Sequence, residues 1–186
     1  MDNMEGRLRR LGGLVLLSLI AIAPLAATDP EDELKSATVL TLIRHAEWQN
    51  GAPGPISIVV LGRPAMVETL RRSLEGRTAN NRVIHIADSK APADLRDCQV
   101  LYIASDNNKE VGQILAASHP SRPLTIGEAG RFLEYGGAVK LLIVDGHISF
   151  EVSREALERA GIAIDATVLR YGQVISSPSR QGRPPV

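Results

Sequence analysis

The chain of 186 residues has room for one domain of ordinary size plus a targeting segment, and its 44% hydrophobic and 23% charged residues suit a globular core. Lys plus Arg equals Asp plus Glu at 21 each, which argues against a general nucleic-acid binder. One cysteine excludes an intramolecular disulfide framework and a cysteine-rich zinc site, and 3% aromatics leave little from which to build a stacking surface.

Residues 1–27 differ from the rest. Arg7, Arg9 and Arg10 precede an apolar run from Leu11 to Ala23, and Pro24-Leu25-Ala26-Ala27 follows. This is the layout of a secretory signal peptide, with a cut expected after Ala27 and export to the periplasm. The run is shorter than the roughly 20 residues of a spanning helix. A retained membrane anchor is the alternative, and the lack of a nearby cysteine excludes a lipoprotein.

The remainder alternates helices and strands. Asp29 caps a helix with Pro30 at its first position and Glu31, Asp32 and Glu33 near its positive end. The apolar stripe of Val39, Leu42, Ile43 and Ala46 predicts that this helix runs to about Trp48. A loop over Asn50–Pro55 leads to a buried strand, Ile56 to Leu61. Met66, Val67, Leu70 and Leu74 mark a helix ended by Gly76. Strands are expected over Arg82–Ala87 and Gln99–Ala104, then a helix carrying Val111, Ile114, Leu115 and Ser118. Pro120 and Pro123 end it before a short strand, Leu124–Ile126. A brief helix is expected from Glu128 to Tyr135, stopped by Gly136-Gly137. Ala138–Val144 and His147–Val152 flank Asp145-Gly146, a two-residue hairpin signal. Ser153 caps a helix over Arg154–Ala160, and a last helix is expected over Asp165–Ile175. Residues 176–186, rich in Ser, Pro, Arg and Gly, read as a flexible tail. The alternation implies an α/β fold: a mostly parallel sheet of about six strands, helices on both faces and a late antiparallel hairpin.

Catalytic signals are sparse. Leu42-Ile43-Arg44-His45-Ala46-Glu47 resembles the Arg-His signature of the histidine phosphatases, but that signature follows a strand and this segment is helical. His147, in the hairpin, does not supply the second histidine of such a site. His85 and His119 have no metal-ligand spacing to other residues. No nucleophile elbow, phosphate loop or dinucleotide fingerprint is present. Asp106 and Asp145 follow strands, where open sheets place ligand groups, although Asp145 already has a turn to make. Arg71, Arg72, Arg77 and Arg82 read as a solvated face. Cys98, before an apolar strand, reads as a buried thiol.

From about Leu34 to Ile175 the chain resembles the YfiR family of exported bacterial proteins. The segments that carry the likeness are Glu47-Trp48, Val60-Leu61-Gly62, Cys98-Gln99-Val100-Leu101-Tyr102-Ile103, Leu124-Thr125-Ile126-Gly127-Glu128, Phe132, Gly136-Gly137 and Ile148-Ser149-Phe150-Glu151-Val152, with Ala156 and Gly161-Ile162 after them. The resemblance implies a non-enzymatic periplasmic regulator that needs no cofactor or metal. Members restrain a membrane diguanylate cyclase through its periplasmic sensor region, lowering cyclic di-GMP and biofilm formation. Similar domains occur as sensory modules joined to histidine kinases, so a small-ligand-binding module working with a kinase or transporter is the alternative function. A small ligand and a homodimer stay open as partners. Better-known relatives carry several cysteines; Cys98 has no partner within this chain, so disulfide control does not transfer. Gly127 stands where relatives have a more polar residue, and Ser153 closes a segment that usually ends in Asn. The expected domain spans 28–175. Cys98, Phe132, Gly136, Gly137 and Phe150 are expected to be structural. Trp48, a lone Trp beside a Gly/Pro loop, is the candidate partner contact, with packing against the core as the alternative.

Overall fold

The computed structural model describes residues 29–49, 54–87, 95 and 97–175. The expected signal segment, 1–27, the expected tail, 176–186, and most of the expected loop, 50–53, lie outside the described residues.

Helix α1 (Pro30–Arg44) starts as the sequence indicates: the Glu31 amide donates to the Asp29 side chain, and three acids occupy the first turn. It ends at Arg44, not near Trp48. His45 leaves helical geometry, and Ala46–Trp48 form strand β1, antiparallel to β9 (Ile162–Ile164). The Asn80 side chain donates to the Ile43 and Ala46 carbonyls, at 3.2 and 2.8 Å, satisfying acceptors at this exit. Ala46 is still fully buried, so the apolar stripe marked a buried position but not its backbone conformation.

The next elements are β2 (Ile56–Gly62), α2 (Pro64–Leu74), β3 (Thr78–Ala79), β4 (Arg82–Ala87), β5 (Val100–Ala104), α3 (Asn108–Ser118), β6 (Leu124–Gly127), β7 (Val139–Val144), β8 (His147–Ser153), α4 (Arg154–Ala160), α5 (Ala166–Leu169) and β10 (Gln173–Ile175). Eight strands form one sheet in the order β10-β8-β7-β6-β5-β2-β4-β3. Strands β4, β2, β5, β6 and β7 run parallel to one another, β10 runs parallel to β8, and β3 pairs antiparallel with β4. The β7–β8 hairpin is antiparallel, with Asp145 and Gly146 at φ 50° and 74°, as its turn requires. All six expected strands are present. The sheet is larger because β3 and β10 extend its two edges.

Alternate side chains of the central strands enter two cores. Ile58, Val60, Val100 and Ile126 face α1, α2 and α4. Val59, Leu101 and Ile103 face α3 and the segment after β6. The sheet is therefore covered on both faces, which is why its strands read as continuous apolar runs.

Two expected helices are different structures. The segment after β6 is a chain of turns: the Phe132, Tyr135 and Gly136 amides donate to the Ala129, Arg131 and Leu133 carbonyls, and no helix propagates. The last helix is one turn, α5, followed by β10. Gly172 lies between them against Phe150, where a Cβ would collide with the ring and the backbone. That close approach brings the chain back to β8 as a strand.

Candidate functional site

Because β4 and β5 leave β2 on opposite sides, the sheet has a topological switch point at the C-terminal ends of β2 and β5. Open α/β sheets place ligands in the crevice outside such a point. Here the crevice is a cavity of about 540 Å³. Its floor is Gly62 against Ala104. Gly62 has φ +108°, any Cβ on it would strike the Ala104 carbonyl, and the Arg63 amide donates to that same oxygen at 3.0 Å.

An ion network fills the inner side of this crevice. Arg63, the first residue after β2, donates through both terminal nitrogens to Asp32 of α1, at 3.2 and 3.0 Å. It also reaches Glu128, the first residue after β6, at 3.2 Å. Glu128 accepts from Lys35 Nζ and from the Tyr102 hydroxyl, each at 2.7 Å. The Asp32 side chain is 1% exposed and that of Lys35 10%, while Arg63 keeps 44% of its side chain in water. The bond to Asp32 raises the Arg63 pKa still further above its ordinary value, against the cost of burial. Burial, reinforced by the Glu128 charge, holds the Tyr102 phenol well above its ordinary 10.0, so it is a committed donor. The cluster ties α1 to the ends of two central strands. Asp29, Glu31, Asp106 and Glu110 also line the cavity. Asp106 is thus at the crevice, whereas Asp145 is confined to its hairpin.

The sequence reading missed this network. One signal was available. Extending the α1 stripe backward from Val39 places Ser36, Lys35 and Asp32 on the buried face, and charges there need partners. Arg63 and Glu128 each stand immediately after a parallel strand, and Tyr102 is the one hydroxyl in an apolar strand.

The residues singled out from the sequence lie elsewhere. Cys98 is buried among Leu95, Leu101 and other apolar groups, and its thiol donates to the Leu95 carbonyl at 3.2 Å. Burial pushes it from 9.0 up to about 11. Phe132 is fully buried, with its ring against Gly127 and Gly137; a Cβ on either would collide with it. Gly127 thereby acquires a steric reason. Gly136 has φ +91° and opens onto the opposite rim of the sheet. Phe150 is buried between its strand neighbours and Gly172. Trp48 is half-buried, packs on the main core, and lies under the Arg82 guanidinium at 5.9 Å from its ring centroid. Its Nε1 is buried with no hydrogen-bond partner among the described residues. The structure brings none of these six residues into the switch-point crevice.

Arg44 ends α1 and His45 is its C-cap, so the pair stands at a helix end and not after a strand, although Ala46-Glu47, expected as helix, are in β1. His147 Nδ1 lies 2.9 Å from the Asp145 carbonyl within the hairpin. Of the arginines read as one face, Arg71 pairs with Glu68, Arg72 with Glu33, and Arg82 donates to the Gly54 and Pro55 carbonyls. Among the described residues no group of three or more His, Cys, Asp or Glu side chains has an arrangement able to hold a metal ion.

A family model described as YfiR/HmsC-like matches residues 32–173. The chain belongs to this family. The match takes in every member of the ion network, from Asp32 to Glu128, and all six residues discussed above. A solved structure, a conserved domain protein from Vibrio cholerae O1 biovar El Tor strain N16961, has a similar fold, with a TM-score of 0.52 at 16% identity. The alignment covers 76% of this chain and 59% of that one, so the chain spans about three-fifths of that protein's length. The likeness concerns the fold alone. Among the described residues no helix is long and apolar enough to cross a membrane.

Proposed function

We propose that this YfiR/HmsC-like protein is an exported, non-enzymatic regulator. It restrains a membrane diguanylate cyclase by binding the cyclase's periplasmic sensor region, and so lowers cyclic di-GMP and biofilm formation. The observation that carries this reading is the family match over residues 32–173. Within the crevice Asp32 and Glu128 are engaged with Arg63, Lys35 and Tyr102, which ties α1 to the strand ends. Binding that favours the inactive state of the partner is sufficient for inhibition.

In this reading residues 1–27 direct export and are removed near Thr28, and 28–175 form the regulatory domain. The test is deletion of the gene followed by complementation. Cyclic di-GMP should rise on deletion and return with the full chain. A version lacking residues 1–27 should fold yet fail to restore it. Unchanged cyclic di-GMP and unchanged biofilm, in cells that express the gene, would refute the regulatory reading and favour a ligand-sensing module.

A further inference from the structure

At the rim opposite the ion network, α3 ends and the chain re-enters the sheet through Ser121-Arg122-Pro123. This turn, the end of α4 and Gly136 enclose a second cavity, of about 470 Å³. Leu115, Pro123 and Ala156, all buried, give it an apolar floor. His119, Arg122 and Arg159, all exposed, line it together with one carboxylate, Glu158.

These cations are not spent as Arg63 and Lys35 are. Among the described residues the Arg122 guanidinium and the His119 ring have no hydrogen bond or ion pair, and Arg159 has only a 3.5 Å contact from Nη2 to the Gly136 carbonyl. Two of them converge on one point. A Cβ on Gly136 would stand 3.4 Å from Arg159 Nη2 and 4.0 Å from His119 Cε1. Glycine keeps that point open.

Arg122 itself is strained. It has φ +51° at the exit of α3, a position where glycine is usual and another residue costs about 1 kcal/mol. Service to the helix does not account for the side chain. The Ser118 carbonyl is satisfied by the Ser121 and Arg122 amides, and neither His119 nor Arg122 donates a side-chain hydrogen bond to the α3 carbonyls. Arg122 thus lines an apolar-floored cavity from a strained backbone, and strain of this kind clusters at functional sites. Two permanent guanidinium charges against one carboxylate leave the rim at about +1 with His119 neutral.

We propose that this cavity binds a small organic anion. One phosphate or carboxylate group is held by Arg122 and Arg159 beside His119, and an apolar body rests on Leu115, Pro123 and Ala156. The site is separate from the switch-point crevice, and its test needs no cyclase.

The experiment is an amide-resolved NMR titration of the purified protein with phenyl phosphate and with benzoate, using inorganic phosphate and benzyl alcohol as controls. At least one aromatic anion should give saturable shifts at Leu115, Gly136 and Ala160, with a Kd of about 1 mM or tighter. Each control should bind roughly tenfold more weakly. Arg122→Gly retains the turn while removing the guanidinium; it should weaken binding at least about tenfold with no loss of thermal stability. Arg159→Gln, away from the strained turn, should weaken it similarly. Absence of saturable shifts, equal affinity in both variants, or shifts confined to the rim around Arg63 would overturn the proposal. Benzyl alcohol binding as tightly as the anions would overturn the role of charge, and inorganic phosphate doing so would overturn the role of the apolar floor.

Discussion

The Tyr102 hydroxyl donates to Glu128 Oε1 over 2.7 Å, joining the centre of β5 to the residue that follows β6. The bond is partly buried and its acceptor is charged, so its loss is costly. Tyr102→Phe keeps the ring's packing and deletes only the donor. It should destabilise the protein by about 1.5–3 kcal/mol, the range for hydrogen bonds to charged groups. Equilibrium denaturation in urea measures this, and a loss below about 0.5 kcal/mol would show that the bond is dispensable.

Asp32 is the more buried end of the network. Asp32→Asn retains shape but leaves Arg63 facing a neutral amide. A fully buried pair broken in this way costs about 3–5 kcal/mol; because Arg63 is half exposed, the lower end is expected. The effect should be a fall in stability with α1 loosened first. Hydrogen exchange across Lys35–Arg44 should accelerate more than exchange in β5.

Most of the architecture is legible in the chain because local and global preferences agree. The apolar runs at Ile56–Leu61 and Val100–Ala104 need two covered faces, and Asp145-Gly146 fits only a tight hairpin. Three segments deceived because a tertiary contact decided them. Ala46 keeps helical spacing yet pairs with Ile164 in a strand ladder. The residues after Glu128 have helical composition, but Phe132 folds back against Gly127 and Gly137. Gly172 closes on Phe150, and β10 follows from that contact. The ion network was hidden for a similar reason. Asp32 and Lys35 share one face of α1, but Arg63 and Glu128 are common surface residues far from them in sequence, and only the fold brings the two sets together.

The contact between Phe132 and Gly137 can be tested by size. Gly137→Ala puts a methyl group into the ring of a fully buried phenylalanine, and overpacking of this kind costs about 1–3 kcal/mol. Gly130→Ala, where a Cβ meets nothing within 4 Å, is the control and should change stability by less than about 0.5 kcal/mol. Adding Phe132→Leu to Gly137→Ala should recover part of the loss. Additive losses in the double variant would contradict the packing described here. Phe150→Ala should cost about 3–5 kcal/mol, since that ring is also buried.

Cys98 and Tyr102 make the fold sensitive to alkali. Each is buried with its proton and has a folded pKa raised above the unfolded value, so the unfolded chain loses the proton first. The contribution of Cys98 is fully present below pH 9 and is lost as the pH rises to about 11. The magnitude is at most about 3 kcal/mol. Tyr102 adds a further decline above pH 10, where the unfolded phenol ionises. Urea midpoints measured from pH 8 to 11 should fall, and Cys98→Ala should lower the starting value but flatten the portion that begins near pH 9. An unchanged slope in that variant would remove Cys98 from the account. The native thiol should also resist alkylation at pH 8, because the thiolate is the nucleophile and burial disfavours it.

Trp48 separates packing from partner binding. It is the only tryptophan in the chain, and it sits on β1 with its ring on the core, Arg82 above it, and an Nε1 that has no partner among the described residues. A buried N–H without a partner costs stability, so replacement by a ring lacking it is not purely a loss. Trp48→Phe gives up some buried area and some cation–π attraction, the latter about 0.5–1 kcal/mol, and removes the unsatisfied donor. The two effects oppose each other, and the net change should be below about 1 kcal/mol. Trp48→Ala loses the area without compensation and should cost about 3 kcal/mol or somewhat less, given partial exposure. If Trp48 serves only the fold, Trp48→Phe should restore repression of cyclic di-GMP in the deletion strain as well as the unaltered chain does. If the exposed part of the indole meets a partner in the proposed regulatory role, Trp48→Phe should be about as stable as the unaltered protein, be exported in equal amount and still fail to complement.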